Sequence, residues 1–336
     1  MAGVDKCDLV AHYAGKNVLV TGGLGFIGST LAIRLIDLGA QVTIVDALLC
    51  ESGGNLFNIE PVKDKVRVNY CDIQDVYAMS SLVRGQDFIF HLAGQVSHIL
   101  GLKNPFPDID INIKGTAVLM EACRNYNPVT RVIYTGTRGQ YGPVTRLPVN
   151  EETPTDPKGM YEISNLTAEM IIKFYNDIHH IPSILLRLSN IYGPRSQMKH
   201  SQNGVVNWFV RLAIDGQTIP VFGDGTILRD FLFIDDCVEA LLMCAACGES
   251  YGEVLNVGVD RPTCYVDLAH AIVRIARSGR WEFSPFSPDR KAQEQGNFYS
   301  DISKIHRIAG WEPRTSLEDG LEQTIAYYRR HKEHYW

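Results

Sequence analysis

The 336-residue chain is 45% apolar and 21% charged, which is typical of a globular protein with one large α/β unit and an attached lobe, or with two domains. Its formal charge of −6 and pI near 5.9 argue against nucleic acid as the main partner, although local arginines can still bind a phosphorylated small molecule. No apolar run approaches the roughly 20 residues of a membrane span, no signal region opens the chain, and the eight cysteines are scattered. We therefore expect a cytoplasmic protein with reduced thiols and no membrane partner.

The first half of the chain alternates between strand and helix signals. β-Branched and aromatic runs predict strands at 17–22, 41–46, 66–72, 87–94, 131–136 and 183–190. Helical spacing predicts helices at 26–39, 110–126 and 161–177. Near-continuous apolar strands separated by helices predict an α/β fold with a doubly wound parallel sheet of the Rossmann type, covered on both faces.

A glycine-rich turn links the first predicted strand to the first predicted helix. The sequence "VTGGLGFIGS" contains Gly22, Gly25 and Gly28 at three-residue intervals. A dinucleotide pyrophosphate requires backbone N–H groups at a helix N-terminus with no Cβ in the way. Asp46 ends the second strand, where its carboxylate would accept hydrogen bonds from a ribose diol and repel a 2′-phosphate. The alternative is a tight turn without a ligand, but the combined context favours NAD as cofactor.

Loops rich in Gly, Pro and Asn replace this alternation after about residue 190. We predict an NAD-binding domain at 1–190, with a returning segment around 229–257. The smaller C-terminal α/β lobe at 191–336 would be interleaved with it and bind the substrate. No histidine pairing suggests a metal site, and the lone C-x-x-C at Cys244 and Cys247 lies on an apolar helix.

Further motifs follow the glycine turn: "CDIQD", "HLAGQV", "NIKGT", "YTGTRGQYG", "RLSNIYGPR", "GDGTILRD" and "SPDRKAQEQ". In this order they resemble the extended short-chain dehydrogenases/reductases, specifically the NAD-dependent nucleotide-sugar epimerase/dehydratase group. The resemblance implies a nucleotide-diphosphate sugar as substrate and a homodimer paired through the helices at 110–126 and 161–177. The implied NAD contacts are Gly22, Gly25, Phe26, Ile27, Asp46, Asp72, Ile73, Leu92, Ala93, Gly94, Gln95, Asn112, Tyr161 and Asn165. For Asn112, a role in tying a helix to the sheet is equally open.

The resemblance makes Tyr161 the catalytic base and Thr137 its hydroxyl partner. A tyrosine base requires a pKa well below the usual value near 10, and the family supplies positive charge from a lysine four residues later. This chain has Asn165 at that position. Three interpretations follow: a working site with weaker activation, a binding site with slow or no turnover, and a helix pair without a catalytic role.

The resemblance also places substrate contacts. Asn190 would lie at the nucleotide diphosphate, and Arg229 and Arg290 would clamp its phosphates, although surface ion pairs are the alternative for both arginines. Sugar 4,6-dehydratases resemble one another in an Asp-Glu pair after the catalytic Thr, where this chain has Arg138 and Gly139. Epimerisation is therefore favoured over dehydration, with carbon 4 as the first candidate. The run "HLAGQV…NP…DINIKGT" also resembles epimerases acting on CDP-deoxysugars, which leaves the inverted carbon open. Arg138 would either meet an acidic sugar group or, as is more common for a loop arginine, be solvated or pair with a local carboxylate.

Overall fold

The strands alternate with helices through the first half of the computed structural model, which describes residues 6–49, 52–201, 204–286, 291 and 294–336. The strands, in chain order, are β1 Asn17–Thr21, β2 Gln41–Asp46, β3 Arg67–Tyr70, β4 Phe88–His91, β5 Arg131–Thr137, β6 Ser183–Leu188, β7 Asn190–Tyr192, β8 Thr218–Phe222, β9 Leu228–Arg229, β10 Phe231–Phe233, β11 Val254–Val257, β12 Thr263–Cys264 and β13 Arg280–Ser284. The helices are α1 Lys6–Tyr13, α2 Phe26–Asp37, α3 Val76–Leu82, α4 His98–Lys103, α5 Thr116–Tyr126, α6 Met160–His179, α7 Val205–Ile214, α8 Ile234–Ala246, α9 Tyr265–Ala276, α10 Ser303–Ala309 and α11 Leu317–His331.

A seven-stranded parallel sheet of order β11-β6-β5-β4-β1-β2-β3 forms the centre of the described chain. The predicted doubly wound parallel fold is confirmed. The strand order reverses between β1 and β4, and such a switch point in a parallel sheet opens a crevice at the carboxyl ends of the strands.

Both faces of this sheet are buried. Val18 and Val20 of β1 belong to one apolar cluster, whereas Leu19, which points to the opposite face, belongs to the second. All three side chains are completely buried. This explains why β1 reads as a continuous apolar run, since alternate residues each face a layer of helices.

Three predicted strands are clearly shorter than the sequence indicated, and the one at 183–190 ends at Leu188, before β7. The segments at 66–72 and 87–94 leave the sheet after Tyr70 and His91, and the polar and small residues that follow form loops at its carboxyl edge. The predicted helix at 110–126 begins as a π-helical segment, Asp108–Gly115, before α5. Such wide turns occur frequently at functional sites.

Helix α6 is fixed to the sheet by a buried ion pair. Arg187 of β6 donates from Nε and Nη2 to the two carboxylate oxygens of Glu169, at 2.9 and 2.6 Å, and both side chains are about 7% exposed. Gln140 also donates to Glu169, at 2.7 Å, and accepts a hydrogen bond from the backbone N–H of Thr137. The network therefore fixes the middle of α6 and the end of β5 relative to each other.

Apart from β11, which joins the central sheet, the strands after β6 form three small two-stranded sheets. β10 pairs with β7, β12 with β9 and β13 with β8, while helices α7, α9 and α11 pack on one another. Tyr328 of α11 is completely buried, and Trp311 is buried with its Nε1 donating to the carbonyl of Asp236 in α8 at 3.1 Å. The division into a cofactor domain at 1–190 and a substrate lobe at 191–336 stays a prediction.

Candidate active site

The carboxyl edge of the sheet opens into a cavity of about 940 Å³. Nearly all residues singled out from the sequence line this one cavity. They are Gly22, Gly25, Phe26, Ile27, Asp46, Asp72, Ile73, Leu92, Ala93, Gly94, Gln95, Asn112, Thr137, Arg138, Tyr161, Asn165, Asn190 and Arg229. Arg290 lies outside the described residues. The volume falls in the range of pockets that enclose a drug-sized ligand.

The glycine turn brings backbone very close to backbone. Gly22 has φ +69°, and a Cβ there would lie 2.9 Å from the backbone of Ala93. A Cβ on Gly28 would lie 2.3 Å from the carbonyl oxygen of Gly22. Helix α2 begins after Gly25 with no side-chain cap and no acidic residue in its first turn. Its N-terminal N–H groups and dipole therefore suit an anionic pyrophosphate.

Asp46 lies at the cavity end of β2. Its Oδ2 accepts a hydrogen bond from the backbone N–H of Leu24 at 3.0 Å, and its Oδ1 accepts one from Leu48 at 2.9 Å. Burial raises the pKa of this carboxyl, and the two backbone donors oppose that shift. Each carboxylate oxygen can accept a further hydrogen bond, so Asp46 can hold the loop and contact a ribose diol together.

Asn112 joins three segments around the cavity. Its Oδ1 accepts from the N–H of Gln95 at 2.8 Å, and its Nδ2 donates to the carbonyl of Gln95 at 3.2 Å and to Oγ of Ser164 at 2.9 Å. These bonds link the loop after β4 to the π-helical segment and to α6. Of the two roles left open by the sequence, the contacts favour the tying role.

Tyr161 and Thr137 meet at the end of β5. Thr137 accepts a hydrogen bond from the N–H of Gly139 at 3.1 Å, while Tyr161 lies in the first turn of α6. Burial raises the pKa of Tyr161 to about 12, and the neighbouring carboxylates Glu162 and Asp108 add to this shift. A hydrogen bond with Thr137 and the charge of Arg138 oppose it. Without additional positive charge the phenol is therefore protonated at neutral pH.

Asn165 lies one helical turn beyond Tyr161 and is only 8% exposed. Its Nδ2 donates to the backbone carbonyl of Tyr161 at 2.8 Å, and its Oδ1 accepts from the hydroxyl of Tyr134 at 3.1 Å. Lys158 and Lys173 are exposed and pair with Asp156 and Asp177. Of the described residues that line the cavity, none is a lysine.

Sequence reasoning missed a carboxylate and a histidine beside Tyr161. Nδ1 of His98 lies 2.7 Å from Oε1 of Glu162, and the His98 and Tyr161 rings meet edge to face with centroids 4.5 Å apart. Asp108, which is completely buried, accepts from Nε2 of Gln95 at 2.9 Å. The position of Glu162 directly after Tyr161 was the one available sequence signal.

The phosphate-clamp candidate Arg229 is 2% exposed and already engaged. It donates to the carboxylate of Glu294 and to the backbone carbonyls of Leu228 and Gly296. The ion pair that was the alternative for Arg229 is present, with side-chain exposures of 3% for Arg229 and 22% for Glu294, and the role of Arg229 at a diphosphate stays a prediction. A diphosphate binding here would compete with Glu294.

Arg138 lies further along the same wall, with its guanidinium 5.0 Å from the ring centroid of Phe298. Its Nη1 is buried and has no hydrogen-bond partner among the described residues. Burial, followed by the charge of Arg229, lowers the pKa of Arg138 to about 10. Asn190 is the first residue of β7, and its Nδ2 donates to the backbone carbonyl of Asp230 at 3.3 Å.

Comparison with known proteins assigns the family. Residues 18–258 match the NAD-dependent epimerase/dehydratase family. The chain belongs to this family. The UDP-glucose 4-epimerase of Mycolicibacterium smegmatis is 32% identical over 313 residues, which cover 93% of this chain and 98% of that protein. The family resemblance inferred from the sequence motifs is thereby confirmed.

Solved structures agree with this assignment. The UDP-glucose 4-epimerase of Thermotoga maritima with UDP-glucose superposes with a TM-score of 0.85 at 32% identity, covering 94% of this chain and 99% of that one. A dTDP-glucose 4,6-dehydratase of Streptomyces venezuelae with NAD bound also gives a TM-score of 0.85, at 26% identity, covering 94% and 98%. The family thus includes both epimerases and dehydratases. Within the described part of this chain, no helix is long and apolar enough to cross a membrane.

Proposed function

We propose that this protein is an NAD-dependent nucleotide-sugar epimerase that inverts carbon 4 by oxidising a sugar hydroxyl and reducing the resulting ketone from the other face. The observation that carries the proposal is the position of Tyr161 and Thr137 in the same cavity as the glycine turn. Hydride acceptance and return is the chemistry that bound NAD would supply. The chain's own residues bind both ligands and move the hydroxyl proton.

Tyr161 is the proposed base. Its phenolate would take the proton of the sugar hydroxyl, and the hydroxyl of Thr137 would position that oxygen and stabilise the phenolate. Because burial raises the pKa of Tyr161 to about 12, activation depends on positive charge in the loaded site. In this chain the candidate sources are the oxidised nicotinamide and Arg138, with no lysine at position 165. We infer a rate that rises into the alkaline range.

NAD is the proposed cofactor. The unobstructed N-terminus of α2 suits the pyrophosphate, and Asp46 would favour a ribose diol over a 2′-phosphate. The other residues that the sequence analysis assigned to NAD binding also line this cavity.

A nucleotide-diphosphate sugar is the proposed substrate. Arg229, Arg138 and Asn190 line the part of the cavity that would hold its phosphates and sugar. We include Arg290 in the clamp on sequence grounds alone. The relatives' names support UDP- or dTDP-linked sugars as the first candidates.

We also propose a homodimer through α5 and α6. Ile163, Met170, Phe174 and Ile178 form an exposed apolar stripe along α6, with exposed fractions of 39% to 64%. Their spacing puts them on one face of the helix. An exposed apolar face of this kind is typical of a protein–protein contact. We also propose that the protein is located in the cytoplasm, as expected from its sequence.

Two alternatives are tested by the same experiment. Dehydration is favoured by the relatives that are dehydratases, but Arg138 and Gly139 supply no carboxyl acid after Thr137. Binding without catalysis is favoured by the amide at position 165, which brings no charge. Incubating the purified protein and NAD with UDP- and dTDP-sugars, followed by NMR of the products, distinguishes a carbon-4 epimer from a 4-keto-6-deoxy product and from no reaction. Tyr161→Phe should lower epimer formation by about 10²- to 10⁴-fold.

A further inference from the structure

A pair of titratable side chains lies beside the proposed base and has no role in the reaction described above. His98 begins α4, and Glu162 follows Tyr161 in the first turn of α6. Both line the cavity, and the contact between Nδ1 of His98 and Oε1 of Glu162 is 2.7 Å long. The imidazole also meets the Tyr161 ring edge to face, with centroids 4.5 Å apart.

Glu162 is the anionic member of this pair. It is only 5% exposed. Burial alone would raise the pKa of Glu162, but the hydrogen bond and charge of His98 hold it below the ordinary value. A carboxylate bound to Nδ1 fixes the ring orientation and stabilises an imidazolium, so that the other nitrogen, Nε2, exchanges protons with a ligand.

Asp108 and Arg138 are the other charged groups that act on this part of the cavity. Asp108, from the π-helical segment, is completely buried, and burial raises the pKa of its carboxyl. Arg138, from the turn after β5, is the cation that acts on Glu162 and Tyr161. The imidazole of His98 thus lies close to two carboxyl groups, those of Glu162 and Asp108, and to the phenol of Tyr161.

We propose that His98, held by Glu162, is a second acid/base group that exchanges the proton on the carbon next to the carbonyl of a nucleotide-linked 4-keto sugar. This inference rests on the nucleotide-sugar site proposed above, but it requires no hydride transfer. A sugar whose carbon-4 oxygen contacts the Tyr161 phenol would lie beside the imidazole, since both rings line one wall.

The step is balanced without an oxidant or reductant. Neutral His98 takes the proton from the α-carbon at Nε2, the C–H electron pair forms a C=C bond, and the carbonyl becomes an enolate oxygen. The imidazolium then exchanges its proton with solvent and returns one to the same carbon. Because His98 lies on one side of the enolate, it returns the proton to the original face, and the observable result is isotope exchange at that carbon.

The test supplies the ketone directly. The protein is incubated in deuterated water with a UDP-linked 4-keto-6-deoxyhexose, and mass spectrometry and NMR follow deuterium at the two carbons flanking the carbonyl. We expect protein-dependent incorporation of deuterium at one of them. His98→Asn keeps a donor for Glu162 but removes the base, so exchange should fall by about 10²-fold or more. Glu162→Gln should lower it by about tenfold, because the imidazolium loses its counter-charge.

The control is His306→Gln, an exposed histidine on α10 outside the cavity, which should leave exchange unchanged. The matching readout is carbon-4 epimerisation of a UDP-hexose by the same variants. A selective loss of exchange in His98→Asn supports the inference. Equal losses of exchange and epimerisation would assign a structural role and overturn it.

Two further results also overturn the inference: no deuterium above the protein-free rate in the wild type, or exchange that survives in His98→Asn and disappears in Tyr161→Phe. Exchange without epimerisation would instead contradict the proposed function and leave the acid/base role of His98 intact. Epimerisation without exchange would support the proposed function and overturn the acid/base role of His98.

Discussion

Replacing Asn165 with lysine tests how Tyr161 is activated. Residues four apart on a helix have Cβ atoms about 6 Å apart, where a unit charge at an effective dielectric constant of about 20 contributes about 3 kcal/mol. That energy corresponds to about 2 pKa units. The pKa of Tyr161, which burial raises to about 12, would therefore fall toward about 10 in Asn165→Lys.

The sign of the pH effect follows from the base being the phenolate. At about pH 8, a tyrosine with a pKa of about 12 is ionised in roughly one molecule in 10⁴, and one with a pKa of about 10 in roughly one in 10². The rate of hydride transfer near neutrality should rise by about tenfold to a hundredfold, since a less basic phenolate offsets part of the gain. The alkaline rise should move to lower pH by about 2 units.

The assay is single-turnover formation of NADH across a pH series, with ultraviolet titration of the tyrosines as a second readout. Asn165→Met is the matched control. Like the lysine variant, it removes the side-chain hydrogen bonds of Asn165 with the Tyr134 hydroxyl and the Tyr161 carbonyl, but it adds no charge. The positive charge of bound NAD⁺ is the same in the wild type and in both variants, so it does not account for a difference between their pH profiles. Identical pH profiles for the lysine and methionine variants would refute the charge explanation.

Three further predictions concern the cofactor turn, the fold and the assembly. Gly28→Ala should weaken NAD binding in calorimetry by tenfold or more, because its Cβ would lie 2.3 Å from a backbone carbonyl oxygen, whereas Gly248→Ala, with open space around it, should not. Glu169→Gln should lower the free energy of unfolding, measured in urea, by about 3–5 kcal/mol, because it breaks a buried ion pair. The control Glu318→Gln, in an exposed pair, should change that free energy by less than about 1 kcal/mol. Phe174→Asp should convert the proposed dimer to a monomer in sedimentation; a wild-type monomer would contradict the dimer proposal.

The features predicted successfully from the sequence are local or periodic. β1 and β2 read as apolar runs because both faces of the sheet are buried, and the glycine turn is specified within ten residues of sequence. Chain order then implies a crevice at the carboxyl edge of a parallel sheet. These principles are sufficient to predict the fold and the cavity that holds the candidate residues.

The features that the sequence did not predict depend on contacts between distant segments. His98 and Glu162 are 64 residues apart, and Arg229 and Glu294 are 65 apart, so neither pair leaves a periodic signal. The orientation of Asn165 depends on the hydroxyl of Tyr134, 31 residues away on β5. In each case a polar side chain is assigned its partner by packing rather than by spacing.

The most direct test of the central claim is product analysis with NAD and a UDP-hexose. NMR of the reaction mixture should show the carbon-4 epimer accumulating to equilibrium, with no net NADH and with a rate that increases into the alkaline range. Across UDP-, dTDP- and CDP-linked hexoses, the absence of both an epimer and transient NADH absorbance at every pH would contradict the assignment as an epimerase.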